Sequence, residues 1–346
     1  MKASERFVNS ILRAEPINDN PFDENGCGLF FEDIKSAGLG PAFYLQAKEC
    51  RVLPEPVRLK SRASYEDALL FKDYAICCLK ELQPALCRLG RVVIIKGLAL
   101  CETIYREPSV RPMGDVDLYF PDGSIEEARN VFLTNGYTCL DAYRTVVCRG
   151  DLHVDLHEDL WDARRLPRRN GCIPGLAETF EESNLVPGFF IPSPSLLAVH
   201  SAYHAIKHCF SRKLWYLDIV LLHKAGYFKE PITNPNSRMA LIALDHCSRI
   251  GLITETFSRP PLAFYRSALL YALFSMKESP GKGELALALT MPQLRDSLAY
   301  IADSLVPRKE ILIEMYGNKS FVSLLMHRIL VIFSYALGML LWKKTR

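Results

Sequence analysis

The spacing of apolar residues changes period along the chain. Phe7, Ile11 and Leu12 recur at helical spacing, as do Phe30, Phe31 and Ile34 further on. Pro54 and Pro56 read as a break after them. From about Ser64 to Leu89 the apolar stripe of Leu69, Leu70, Phe71, Ala75, Cys78, Leu79 and Leu82 predicts one long amphipathic helix. The period then shortens. Val92–Ile95, Asp115–Phe120, Tyr137–Leu140, Tyr143–Cys148 and Leu152–His157 read as strands. Helices are predicted at Leu98–Tyr105 and Ile125–Asn135. Ser124 is a candidate cap for the second, Glu126 and Glu127 lie in its first turn, and Gly136 stops it. Residues 162–192, with Pro167, Pro174, Pro187 and Pro192, read as loops and turns. Beyond Ser193 the helical period returns and holds nearly to the end. The pattern predicts an α+β fold. A small mixed-sheet core (91–160) lies between an N-terminal helical region (1–90) and a C-terminal helical region (161–346) that ends in an apolar helix.

Composition narrows this only slightly. The 346 residues can bury a large core, and 49% apolar content is ordinary for a globular protein. A formal charge of +3 does not by itself argue for nucleic acid, and no basic–aromatic stripe suggests a surface for it. The first residues, Met1-Lys2-Ala3-Ser4-Glu5-Arg6, lack the apolar core of a signal peptide. Eleven scattered cysteines, without zinc-finger spacing, read as free thiols in a reducing, cytoplasmic compartment. Residues 321–346 are strongly apolar and end in a basic tail. The uncharged run from Ile329 to Trp342 is fourteen residues, short of the roughly 20 that span a bilayer. It reads either as a buried helix or as a peripheral membrane contact.

The chemistry concentrates between residues 96 and 157. In a strand, Asp115 and Asp117 project to the same face, and two adjacent carboxylates repel unless a cation lies between them. Oxygen-rich pairs of this kind suit Mg²⁺ (or Mn²⁺), which also binds nucleotide phosphates. The strand Val92–Ile95 runs into Lys96-Gly97, a strand-to-helix entry whose backbone N–H groups attract anions. A lysine at that strand end needs an anionic partner, either a phosphate or one of the two aspartates. Arg111 can grip a phosphate bidentately or form an ordinary salt bridge. Asp155 lies on a third strand between His153 and His157, which share its face. His200, His204 and His208 share one helix face, as packed histidines or as ligands. No G-x-S-x-G motif and no P-loop occurs.

Taken in order, these motifs resemble those of the bacterial uncharacterised nucleotidyltransferases of the polymerase-β-like superfamily. The matching residues are Lys96-Gly97, Arg111 with Asp115-Val116-Asp117-Leu118, Gly136-Tyr137, Asp155-Leu156-His157, His204 with His208, and Leu214-Trp215 with Asp218. The resemblance implies a nucleotidyltransferase α/β core over 91–160. In it, Asp115, Asp117 and Asp155 hold Mg²⁺ or Mn²⁺ and carry catalysis, while Lys96, Gly97 and Arg111 bind the NTP, ATP among the candidates. The implied reaction moves a nucleoside monophosphate to a hydroxyl acceptor (small molecule, peptide or protein) and releases pyrophosphate. His204, His208 and Asp218 would join the lobes or line the cleft. One departure stands out: Leu98 occupies the place where the superfamily has a small residue or serine that touches a phosphate. Two alternatives follow. One is a non-catalytic binding or regulatory protein on the same fold. The other is a membrane-surface accessory factor in an envelope polysaccharide pathway.

Overall fold

The computed structural model describes residues 3–13, 15, 24–48, 53–105, 111–140, 143–161, 177–229, 238–257, 262–276, 282–306, 309, 312–313 and 320–330. The N-terminal region is helical: α1 (Ala3–Leu12), α2 (Glu24–Ser36), α3 (Gly40–Ala47) and the 32-residue α4 (Glu55–Leu86). Pro54 and Pro56 begin α4 rather than break a helix. Pro54 is its N-cap and Pro56 lies in the first turn, where the missing N–H costs no hydrogen bond. A short 3₁₀ turn then leads into the core.

The core alternates strands and helices: β1 (Val93–Ile95), α5 (Lys96–Thr103), β2 (Val116–Tyr119), α6 (Ile125–Thr134), β3 (Thr138–Leu140), β4 (Tyr143–Arg149), β5 (Leu152–His157), β6 (Phe180–Glu182) and β7 (Phe190–Pro192). They form a seven-stranded mixed sheet in the order β3-β4-β5-β2-β1-β7-β6. The last two strands come from the stretch that the sequence suggested was loop. β7 pairs parallel with β1 at Val93↔Phe190, and β6 closes a hairpin onto β7. Their shortness explains why no alternating pattern announced them. The sheet therefore takes strands from both sides of residue 160, and the fold is α+β.

The C-terminal region contains α7 (Pro194–Lys207), α8 (Lys213–Lys224), α9 (Arg238–Arg249), α10 (Phe264–Ser275), α11 (Lys282–Thr290) and α12 (Leu294–Leu305). α7 packs on α5, α8, α9 and α11. Of the apolar tail, residues 321–330 form a helix with Leu324 buried and Val322 and Leu330 exposed. Residues 331–346 lie outside the described residues. Among the described residues, no helix is long and apolar enough to cross a membrane.

A buried ionic clamp joins the sheet to the helices. Arg111, at the loop that enters β2, donates from Nε and Nη2 to the two carboxylate oxygens of Asp218 on α8, at 2.9 and 3.0 Å. Tyr105 donates its hydroxyl to the same carboxylate at 2.6 Å. The Arg111 side chain is 9% exposed and that of Asp218 4%. A second tie runs from α7 to the segment after β5: His200 Nε2 faces the Leu160 carbonyl at 3.0 Å, and the Tyr203 hydroxyl donates to the Trp161 carbonyl at 2.8 Å. Both ties place the helical wall of the cavity against the strand ends.

Two stability tests follow. Breaking a buried pair leaves an uncompensated charge, so Arg111→Met or Asp218→Asn is expected to cost about 3–5 kcal/mol in denaturant unfolding. The double variant Arg111→Met/Asp218→Asn should cost less than the sum of the singles, because neither charge is then stranded. The second test concerns His246, buried in the helical core among Phe210, Tyr216, Tyr271 and Phe274. Burial pushes its pKa down to about 4, with Asp245 opposing that shift and Arg249 adding to it. The unfolded chain therefore binds a proton that the native chain refuses, and stability falls as pH drops from about 6.5 towards 4. His246→Gln should remove about 1.4 kcal/mol per pH unit from the slope in that window, as read from unfolding midpoints.

Candidate functional site

The site grows from the end of β1. After Ile95 the chain turns at Lys96, whose φ is 52°, and enters α5. A non-glycine residue in this left-handed region costs about 1–2 kcal/mol and persists only where the surroundings enforce it. Among the described residues only Lys96, Cys209 and Phe210 do this. The next residue, Gly97, lies close under two side chains. A Cβ at Gly97 would fall 2.9 Å from Arg111 Nη1 and 3.0 Å from the Met113 side chain. Glycine lets the 111–113 loop close over α5.

The sheet register then aligns the polar groups. β1 runs antiparallel to β2 with Ile95 opposite Asp117, and β2 runs parallel to β5 with Asp117 opposite Asp155 and Tyr119 opposite His157. Every residue of β2 is buried, Asp117 included. A buried carboxylate must find compensation. Lys96 Nζ lies 2.5 Å from Asp117 Oδ1, and His157 Nε2 lies 2.9 Å from the same oxygen. His157 Nε2 also lies 3.3 Å from Asp155 Oδ2.

The electrostatics follow this geometry. Burial pushes the Asp117 carboxyl up, but Lys96 and His157 outweigh it and hold the group well below the usual carboxylate range. His157 resists protonation through burial and the Lys96 charge. Its hydrogen bonds to Asp117 and Asp155 prevail, and its pKa rises to about 9. Asp115 stands one residue before β2, exposed at the rim. Desolvation of its carboxyl by the cavity rim and the like charge of Asp117 raise its pKa against the opposing pull of Lys96.

A cavity of about 490 Å³ opens over these groups, a size suited to a small ligand. All six residues singled out from sequence line it: Lys96, Gly97, Arg111, Asp115, Asp117 and Asp155. Arg111 and Lys96 each hold a carboxylate of the fold, Asp218 and Asp117 respectively, which is the ion-pair alternative the sequence left open for both. The opposite wall comes from α7 and α8. The rings of His204, His208 and Trp215 pack mutually at centroid distances of 4.6–5.2 Å. Burial holds the pKa of His204 well below the usual value. Lys207 and Arg212 line the same wall. Neither stood out in the sequence, because an isolated lysine and arginine at a helix junction carry no motif. His157 stood out only as a neighbour of Asp155; the parallel register of β2 and β5 brings it to Asp117.

The donor set fits a divalent cation. Ligand atoms of Asp117, Asp155 and His157 all lie within 4.8 Å of one another. The carboxylates suit Mg²⁺, and the His157 nitrogen, which must give up its proton to bind a cation, widens the choice to Mn²⁺. Asp115 lies outside this tight group but faces the same cavity.

The model of the uncharacterised nucleotidyltransferase family matches residues 27–233, more than half of the chain. No curated protein and no solved structure matches it. The matched stretch begins in α2, runs past α8 and contains every described residue that lines the cavity. The chain belongs to the uncharacterised nucleotidyltransferase family.

Proposed function

We propose that the protein transfers a nucleoside monophosphate from an NTP to a hydroxyl acceptor and releases pyrophosphate. The observation that carries this reading is the convergence of Asp115, Asp117 and Asp155 on one cavity of nucleotide size. Asp117 and Asp155 would hold Mg²⁺ or Mn²⁺, with Asp115 or His157 as a further ligand. The bound ion supplies charge neutralisation and Lewis acidity at the phosphates. The chain's own residues do the rest. Lys96 holds the Asp117 carboxylate in place, and the Arg111–Asp218 clamp fixes the loop that carries Asp115. Asp155, with a side chain 30% exposed, is the carboxylate positioned to accept the acceptor's hydroxyl proton. The attacking oxygen forms the new bond to the α-phosphorus as the bond to pyrophosphate breaks. Holding the two reactants together in this cavity supplies much of the rate. The domain arrangement would be a nucleotidyltransferase core set between helical regions, the C-terminal one selecting the acceptor.

The compartment would be the cytoplasm, where NTPs are supplied and where free thiols such as Cys101, Cys209 and Cys247 remain reduced. Peripheral membrane contact through 321–346 belongs to this proposal only as an accessory feature.

A second reading has its own observation. Lys96 and His157 already compensate Asp117, as they would in a non-catalytic descendant that binds a ligand without turning it over. One experiment separates the two. Purified protein is incubated with each α-³²P-labelled NTP and cell extract, with Mg²⁺ or Mn²⁺. The expected result is label on an acceptor with the wild type, reduced about 10²-fold or more by Asp155→Asn or Asp115→Asn. Metal-dependent NTP binding without label transfer from any of the four NTPs would favour the non-catalytic reading.

A further inference from the structure

The corner between α7 and α8 is the second strained place in the described backbone, and it borders the same cavity as the first. Cys209 and Phe210 follow one another at φ 50° and 52°. Two successive non-glycine residues in this region are costly. The turn is held by backbone hydrogen bonds from Cys209 N to the Ile206 carbonyl and from Phe210 N to the Ala205 carbonyl, both at 2.8 Å. α11 presses on it from outside: a Cβ at Gly283 would fall 1.6 Å from the Lys207 carbonyl oxygen, so only glycine permits the approach. The consequence is that Lys207, from the last turn of α7, and Arg212, the N-cap residue of α8, line one cavity wall. The Arg212 guanidinium lies 5.8 Å from the centroid of Trp215, whose ring is in turn packed by His204 and His208. This wall is cationic, and it faces the carboxylates of the sheet across the cavity.

The sheet-side cations have other commitments. Lys96 holds Asp117, and Arg111 spends Nε and Nη2 on Asp218. Leu98 has no side-chain donor for a phosphate. A metal-bound triphosphate still carries negative charge on its β- and γ-phosphates, and that charge needs donors away from the metal ligands.

Building on the proposed nucleotidyl transfer, we infer that the strained α7–α8 corner is the polyphosphate grip. Lys207 and Arg212 contact the β- and γ-phosphates from the helical wall, opposite the Lys96 and Arg111 that the sequence motif nominates. The grip selects nucleoside triphosphates over monophosphates and holds the leaving pyrophosphate in line with the departing bond.

The test is calorimetric titration with Mn²⁺ of the wild type, Lys207→Ala, Arg212→Ala and Lys207→Arg. Each of the four NTPs is used, and the tightest is then compared with its own di- and monophosphate. The wild type should prefer triphosphate to monophosphate. Each alanine variant should weaken triphosphate binding roughly 10-fold or more while monophosphate binding changes little. Lys207→Arg should restore most of the loss. Unfolding midpoints equal to the wild type's accompany a valid comparison, and Lys207→Gln and Arg212→Gln replace any variant that fails it. Alanine variants that bind triphosphate as the wild type does, or that lose tri- and monophosphate alike, overturn the inference and leave nucleotidyl transfer standing. Normal triphosphate binding with impaired transfer also overturns it, assigning the corner to the acceptor. A wild type that binds none of the four NTPs overturns the proposed transfer, and the grip with it.

Discussion

One carboxylate organises this molecule. Asp117 lies in a strand whose every residue is buried, where an unpaired charge would be prohibitively costly. Its compensation comes from two directions. Lys96 reaches it from the end of β1, at the expense of a left-handed backbone, and His157 reaches it from β5 through the parallel register. The same register brings Asp155 alongside. The metal-capable cluster is thus the solution to a burial problem: the groups that make Asp117 tolerable in the core also define the floor of the cavity.

The helical region is tied to that floor rather than merely adjacent to it. The Arg111–Asp218–Tyr105 clamp secures the loop in front of β2, and His200 and Tyr203 secure the segment behind β5. Both flanks of the acidic cluster are therefore held by α7 or α8. These helices are rich in buried apolar side chains, so the wall they present can be rigid enough to position a ligand. Burial drives His200 and His204 towards the neutral form, with pKa values about 3 for the first and well below the usual value for the second. Their place in the fold is packing and hydrogen bonding at this seam.

Much of this was legible in the residues themselves. The period-2 run at 152–157 gives β5 without adjustment, and Asp-x-Asp beside a strand–Lys-Gly element names four of the cavity residues. What escaped was of two kinds. β6 and β7 are three residues each, too short for any period, and they exist because the edge of β1 is available for pairing. Lys207, Arg212 and the role of His157 depend on which chain segments meet in space, and local sequence does not encode that. Pro54 and Pro56 illustrate a third limit. Proline marks a helix boundary, but whether it ends one helix or starts the next is settled by packing; here α4 begins on it.

The proposed reaction requires the Asp117–Asp155 floor to be a divalent-cation site. The most direct test is anomalous diffraction from crystals equilibrated with Mn²⁺ and a non-hydrolysable NTP. A metal peak is expected about 2.1 Å from carboxylate oxygens of both Asp117 and Asp155, beside the bound triphosphate. Nucleotide bound in the cavity with no metal at these carboxylates, and Lys96 still seated on Asp117, would contradict it.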